Sequence, residues 1–138
     1  MINTIDDFYA DSQKYVLEFN QFAQKHGLEG KAQADHICYK CDSLESFEAM
    51  RAIFEQHSDY MYQSIISRRR ISIIRLKQGI ETVLGTIYFL ELSDQKPDGS
   101  QRNGFDHIEV YGVAISYDDL VARLERSEKV IKVERPHH

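Results

Sequence analysis

The tripeptide Asp-His-Ile stands at residues 35–37 and again at 106–108, in KAQADHICYKC and NGFDHIEVYGV. A short word recurs by chance in a chain of this length. What constrains the fold is that both copies begin the same succession. From Asp35 to Cys41 the pattern predicts a strand, with Ile37, Tyr39 and Cys41 on one face and His36, Cys38 and Lys40 on the other, because side chains alternate along an extended chain. DSLESFEAMRAIFEQHSD then predicts a helix, with Asp42 and Glu45 as its capping box and Leu44, Phe47, Met50 and Phe54 as its inward stripe. The second copy leads the same way. FDHIEVYGVA predicts a strand, and SYDDLVARLERS a helix capped by Ser116 with Tyr117, Leu120, Val121 and Leu124 inward. Repetition of this kind marks a duplicated strand–helix–strand unit.

The rest of the chain fills in around these two starts. Residues 4–26 predict a helix, capped by Thr4, stopped by Gly27 and striped by Ile5, Phe8, Tyr9, Val16, Phe19 and Ala23. YMYQSII and ISIIRLK predict strands on either side of Ser67-Arg68-Arg69-Arg70, and ETVLGTIYFLEL a single longer strand, bent or bulged near Gly85. SDQKPDGSQRNG, at 93–104, is a polar loop rich in turn formers, and KVIKVE is one more strand. The expected fold is α+β, with paired βαβββ-like modules forming a curved mixed sheet after an N-terminal helix. The divisions are an N-terminal helix at 1–30, a first module at 31–94, a polar loop at 95–104 and an incomplete second module at 105–138.

Bulk properties narrow the function. At 138 residues the chain is long enough for one domain with a real core. A net charge of −5 argues against a general polyanion binder, so no nucleic-acid partner is expected and the arginine run reads as a solvated hairpin. No apolar run approaches a membrane span and the N-terminus lacks a signal-peptide layout, so no membrane partner is expected and the cytoplasm is the expected compartment. Cys38 and Cys41 form a C-x-x-C, but on a strand they point to opposite faces, which makes a disulfide awkward. His26 and His57 fall on helical surfaces and read as solvated.

The strand pattern turns Ile37 and Ile108 toward the helices, which sends His36 and His107 to the opposite face. If the two units share one curved sheet, both imidazoles enter the same concavity. Glu91, in IYFLELSD, stands on a face with Ile87 and Phe89, where an unpartnered carboxylate is costly. Two imidazoles and one carboxylate around an open cavity make a facial set for a divalent metal, with positions left for water and substrate. Asp35 and Asp106 read as braces of the strand starts, with a bond to the neighbouring His as their contribution to the site.

With those residues in place, the chain resembles the vicinal-oxygen-chelate superfamily, which includes glyoxalase I and the extradiol dioxygenases. In it, ligands come from the first and last strands of each βαβββ module. The resemblance implies His36 and Glu91 as ligands from the first module and His107 from the second, with Glu91 sixteen residues before His107. Through ADHICYKC, GFDHIEVY and the long N-terminal helix, the chain is also similar to the YecM-type proteins. The superfamily's fourth ligand is a Glu on the last strand of module two, and this chain reaches ERPHH before such a strand is expected to form. Truncation or a tag remnant is the expected origin of His137-His138. Glu109, on the face of His107, is the expected substitute carboxylate and, with Glu91, the expected catalytic proton carrier.

The implied activity is a divalent-metal-dependent lyase, isomerase or dioxygenase, using Fe, Mn, Ni or Zn to chelate a small oxygen-rich substrate. A homodimer that completes the second module is compatible with the superfamily's habits. Two other readings stay open: a metal-free small-molecule binding or sequestering protein of the same fold, and a protein-interaction domain whose edge is the strand around Arg68–Arg70. Lys40 and Tyr111 share the histidine face and read as candidates for orienting an anionic substrate.

Overall fold

The computed structural model of the protein describes residues 2–66, 69–94, 102–124 and 131–134. Helix α1 (Ile5–Lys25) is followed by β1 (Ala32–Cys41), α2 (Leu44–His57), β2 (Ser58–Ile66), β3 (Arg69–Thr82), β4 (Gly85–Asp94), β5 (Gly104–Gly112), α3 (Tyr117–Leu124) and β6 (Ile131–Val133). The strands form one six-stranded mixed sheet in the order β2-β3-β4-β1-β5-β6. β1 lies parallel to β4 and antiparallel to β5, and β6 lies parallel to β5. The expected βαβββ module is therefore present as β1-α2-β2-β3-β4. A shorter unit, β5-α3-β6, repeats its first strand, its helix and its parallel closing strand.

All three helices contribute to one core on one face of the sheet. Phe8 and Phe19 of α1, Phe47 and Phe54 of α2, and Leu120 of α3 are fully buried with Ile37, Leu90, Leu92 and Ile108 of the strands. Each such side chain contributes about 1.5–3 kcal/mol by leaving water. Phe8 meets Phe54 edge-on at 4.9 Å and Phe105 at 5.8 Å, so α1 ties α2 to the second unit. Thr4 caps α1 in a reciprocal box with Asp7. The opposite face of the sheet carries no helix among the described residues.

Several expectations are corrected. The cap of α2 is Ser43 with Ser46, not Asp42 with Glu45. β1 runs on through Cys41, and Asp42 is used elsewhere: its N–H donates to Asn103, and its carboxylate accepts from the Ser46 hydroxyl. The helix therefore starts one residue later, and Leu44 points outward. Val121 of α3 is likewise exposed. ETVLGTIYFLEL is not one strand: β3 ends at Thr82, Val83 and Leu84 turn, and β4 begins at Gly85, where φ is +103°. Ile87 is not on the face of Glu91 but fully buried in the core, because the β3–β4 register shifts between Arg75 and Ile80. The strand expected in KVIKVE is present as β6, which pairs with β5; Glu134 follows it, its N–H donating to the Val110 carbonyl. Arg68, most of the 95–104 loop and His137-His138 lie outside the described residues.

The Gly85 turn opens β4, the strand that carries Glu91. A Cβ there would need positive φ and would collide with the Gln33 side chain, whereas at Gly30, also at positive φ, it would meet nothing within 4 Å. Gly85→Ala is therefore expected to destabilise by about 1–3 kcal/mol and Gly30→Ala by less, measured by urea unfolding.

Candidate metal centre

Each Asp-His pair sits at a β-bulge. Between β1 and β5, Ala34 pairs with Val110 and His36 with Glu109, so Asp35 is an extra residue on β1. Further along, Cys38 pairs with His107 and Tyr39 with Phe105, so Asp106 is an extra residue on β5. The bulge restarts the alternation. Ala34 and Ile37, three residues apart, both face the core, and His36 is turned to the open side. The extra residue also brings its carboxylate to the next side chain. His36 Nδ1 donates to Asp35 at 2.9 Å, and His107 Nδ1 donates to Asp106 at 2.6 Å. With Nδ1 occupied, each ring presents Nε2 to the open face.

The register then aligns the site across three strands. One rung of the ladder runs Phe89–His36–Glu109 and the next Glu91–Cys38–His107. His36 Nε2 lies 2.6 Å from Glu109 Oε2 and 3.4 Å from Glu91 Oε2, and His107 Nε2 lies 3.8 Å from Glu109 Oε1. The Cys38 thiol donates to Glu91 Oε2 at 3.0 Å. Glu134, from the end of β6, comes within 3.4 Å of His36 Nδ1. A cavity of about 380 Å³ opens over this patch, lined by Asp35, His36, Ile73, Phe89, Glu91 and Glu109. His107, 7 % exposed, reaches these groups through Glu109.

The charge balance is strongly negative. Burial opposes protonation of His36, but bonds to Glu91 and Asp35 and the nearby Glu109 charge prevail, raising its pKa to about 9. Glu91 is held down to about 2 by its bond to His36, against the effect of burial. Asp106 is lowered to about 2, chiefly by its bond to His107. Glu134 moves the other way, to about 7, because it is buried beside Asp35. Burial and the Glu91 carboxylate push the Cys38 thiol far up, so it is no nucleophile as it stands.

Of the residues expected from the sequence, His36, Glu91 and Glu109 meet directly. His107 joins them one carboxylate away. The compact donor group is His36, Cys38 and Glu91, whose donor atoms lie within 4.8 Å of one another, and Asp35, His36 and Glu134 form a second. Cys38 and Glu134 were not among the expected ligands. The alternation that placed His36 also placed Cys38, whereas nothing local marks Glu134, whose position depends on β6 pairing. Lys40 approaches Asp106 at 3.5 Å, bracing a brace. The donors fit a divalent cation: imidazole, carboxylate and thiolate are its ordinary ligands, and four carboxylates on a half-buried patch outweigh the positive charge of His36.

The profile of the YecM protein family matches residues 4–134. Protein YecM of Escherichia coli (strain K12) is 23 % identical over 110 residues, which cover 79 % of this chain and 58 % of that protein. The solved structure of protein EC4020 superposes with a TM-score of 0.63 and 20 % identity over 85 % of this chain and 63 % of that one. The chain thus spans about three fifths of the length of these relatives. A Streptomyces coelicolor methylmalonyl-CoA epimerase complex superposes at a TM-score of 0.43 with 17 % identity, covering 67 % and 71 % of the two chains, too loosely to equate the folds. No described helix is long and apolar enough to cross a membrane.

The shifts imply a stability profile for the metal-free protein. The His36 pKa is raised from an ordinary 6.5 to about 9, so its contribution is complete below 6.5 and lost as pH rises through 9. The Glu91 pKa is lowered from an ordinary 4.5 to about 2, so its contribution is complete above 4.5 and lost as pH falls through 2. Urea midpoints of chelator-treated protein are expected to fall from pH 6 to pH 9.5, and His36→Gln to flatten that decline.

Proposed function

This chain belongs to the YecM family, and on that footing we propose that the open face of its sheet is a divalent-metal centre that chelates a small oxygen-rich molecule. His36 Nε2, His107 Nε2 and Glu91 hold the ion, and Glu109, which spans the two imidazoles, is the further ligand or the base. The observation that carries this reading is the pair of bulges. Both histidines are braced at Nδ1 by the preceding aspartate, the outer-shell arrangement that orients metal-bound imidazole. The resemblance to the vicinal-oxygen-chelate superfamily points to the same residues.

The chain's own groups suggest how the chemistry is divided. Phe89 and Ile73 supply the apolar wall of the cavity and exclude water from one side of a bound molecule. Glu109, ion-paired with His36 at 2.6 Å, is placed to take or return a proton at a carbon or oxygen of that molecule. A divalent ion, when bound, supplies Lewis-acid polarisation of the substrate oxygens. Lyase, isomerase and dioxygenase reactions all draw on this arrangement.

A metal-free binding protein is the second reading. It is favoured by the ion pairs of His36, which Asp35, Glu91 and Glu109 satisfy within the protein. Metal content separates the two. Mass spectrometry on full-length protein incubated with Fe(II), Mn(II), Ni(II) or Zn(II) is expected to find about one ion per chain, lost in the His36→Ala/His107→Ala double variant. Asp106→Asn is expected to weaken metal binding on the order of 10-fold or more by freeing the His107 ring. Protein that stays empty with all four ions would sink the metal reading in favour of the bare cup.

A further inference from the structure

We propose that Cys38 is a ligand of this centre, binding as thiolate beside His36 and Glu91, so that the site selects borderline and soft divalent ions such as Zn(II) over Mg(II) or Mn(II). The inference rests on the metal centre proposed above and adds to it a residue and a selectivity. Four observations carry it. The β1 alternation puts Cys38 on the open face, two residues from His36, while Cys41 goes to the core on the opposite face and is fully buried there. The two cysteines therefore serve different faces, and Cys38 acts without Cys41. In the register, Cys38 is the middle of the rung whose ends are Glu91 and His107, so it stands between two of the groups proposed as ligands. Its sulfur is 3.0 Å from Glu91 Oε2, and the donor atoms of His36, Cys38 and Glu91 lie within 4.8 Å of one another.

The chemistry balances simply. The thiol proton, held against Glu91 in the metal-free protein, leaves to solvent as the sulfur–metal bond forms, so one additional proton is released per ion bound. Thiolate favours zinc and other borderline ions, whereas carboxylate and water suit magnesium and manganese. A serine in place of Cys38 would keep the shape and the hydrogen bond to Glu91 while removing the soft donor.

Titration of the reduced full chain with Co(II) tests this directly, with near-ultraviolet absorption as the readout beside ion stoichiometry. The wild type and Cys41→Ser are expected to bind one Co(II) per chain and to show the intense thiolate-to-cobalt charge-transfer band. Cys38→Ser is expected to bind Co(II) without that band, with Zn(II) affinity lowered at least about 10-fold and Mn(II) affinity changed little. Bound Co(II) with no such band in the wild type, or a band that survives Cys38→Ser, would overturn the assignment of Cys38 and leave the metal centre standing. A wild-type chain that takes up no Co(II) would overturn both.

Discussion

The pairing of β1 with two different neighbours is the constraint on which the site depends. β1 lies parallel to β4 on one side and antiparallel to β5 on the other. Only this placement lets a carboxylate of the first unit's closing strand and a histidine of the second unit's opening strand meet across a single residue. Glu91 and His107 are sixteen positions apart in sequence and come to opposite ends of one rung through Cys38. The core holds that pairing from below: Ile37, Leu90 and Ile108 are fully buried under the helices, so a one-residue slip would send apolar side chains into the cavity.

The two bulges turn a repeated tripeptide into a repeated device. A regular strand would put Asp and His on opposite faces, leaving the carboxylate far from the ring. An extra residue relaxes that rule and aims the aspartate at Nδ1 in both copies. The arrangement concentrates negative charge on one half-buried patch, where Asp35, Glu91, Glu109 and Glu134 surround a single imidazole. The protein tolerates that crowding by protonation: His36 gains a proton and Glu134 holds one more strongly than usual. A divalent cation would relieve the same crowding, which is the physical ground for the metal centre proposed above.

Much of this was legible without coordinates, because it follows from periodicity. The faces of β1, the helical stripes of α1 and α2, and the opposed directions of Ile37 and His36 are local consequences of an alternating or helical chain. Local reading failed where backbone geometry departs from its period. Alternation puts Ile87 on the face of Glu91, but the β3–β4 register slips and Ile87 faces the core; alternation also carries one strand through ETVLG, which Gly85, a turn residue with positive φ, interrupts. At the cap of α2 the reason is different: the Asp42 backbone N–H donates to Asn103, 61 residues away, its carboxylate accepts from the Ser46 hydroxyl, and Ser43 is the cap.

The sequence by itself determined the two strand starts, the side to which each histidine turns, and the family to which the chain belongs. Each is written in residues close to one another along the chain. The tertiary structure alone decided which donors share a site. Cys38 enters because its face is the face of His36 and its rung ends in Glu91, Glu134 enters because β6 pairs parallel to β5, and His107 stands one carboxylate back because its neighbour Glu109 reaches His36 first. The physical reason is the same in each case. A ligand set is a matter of distances across strands, and those are set by register and by bulges, which the hydrogen-bonded sheet fixes only when all of its strands are in place.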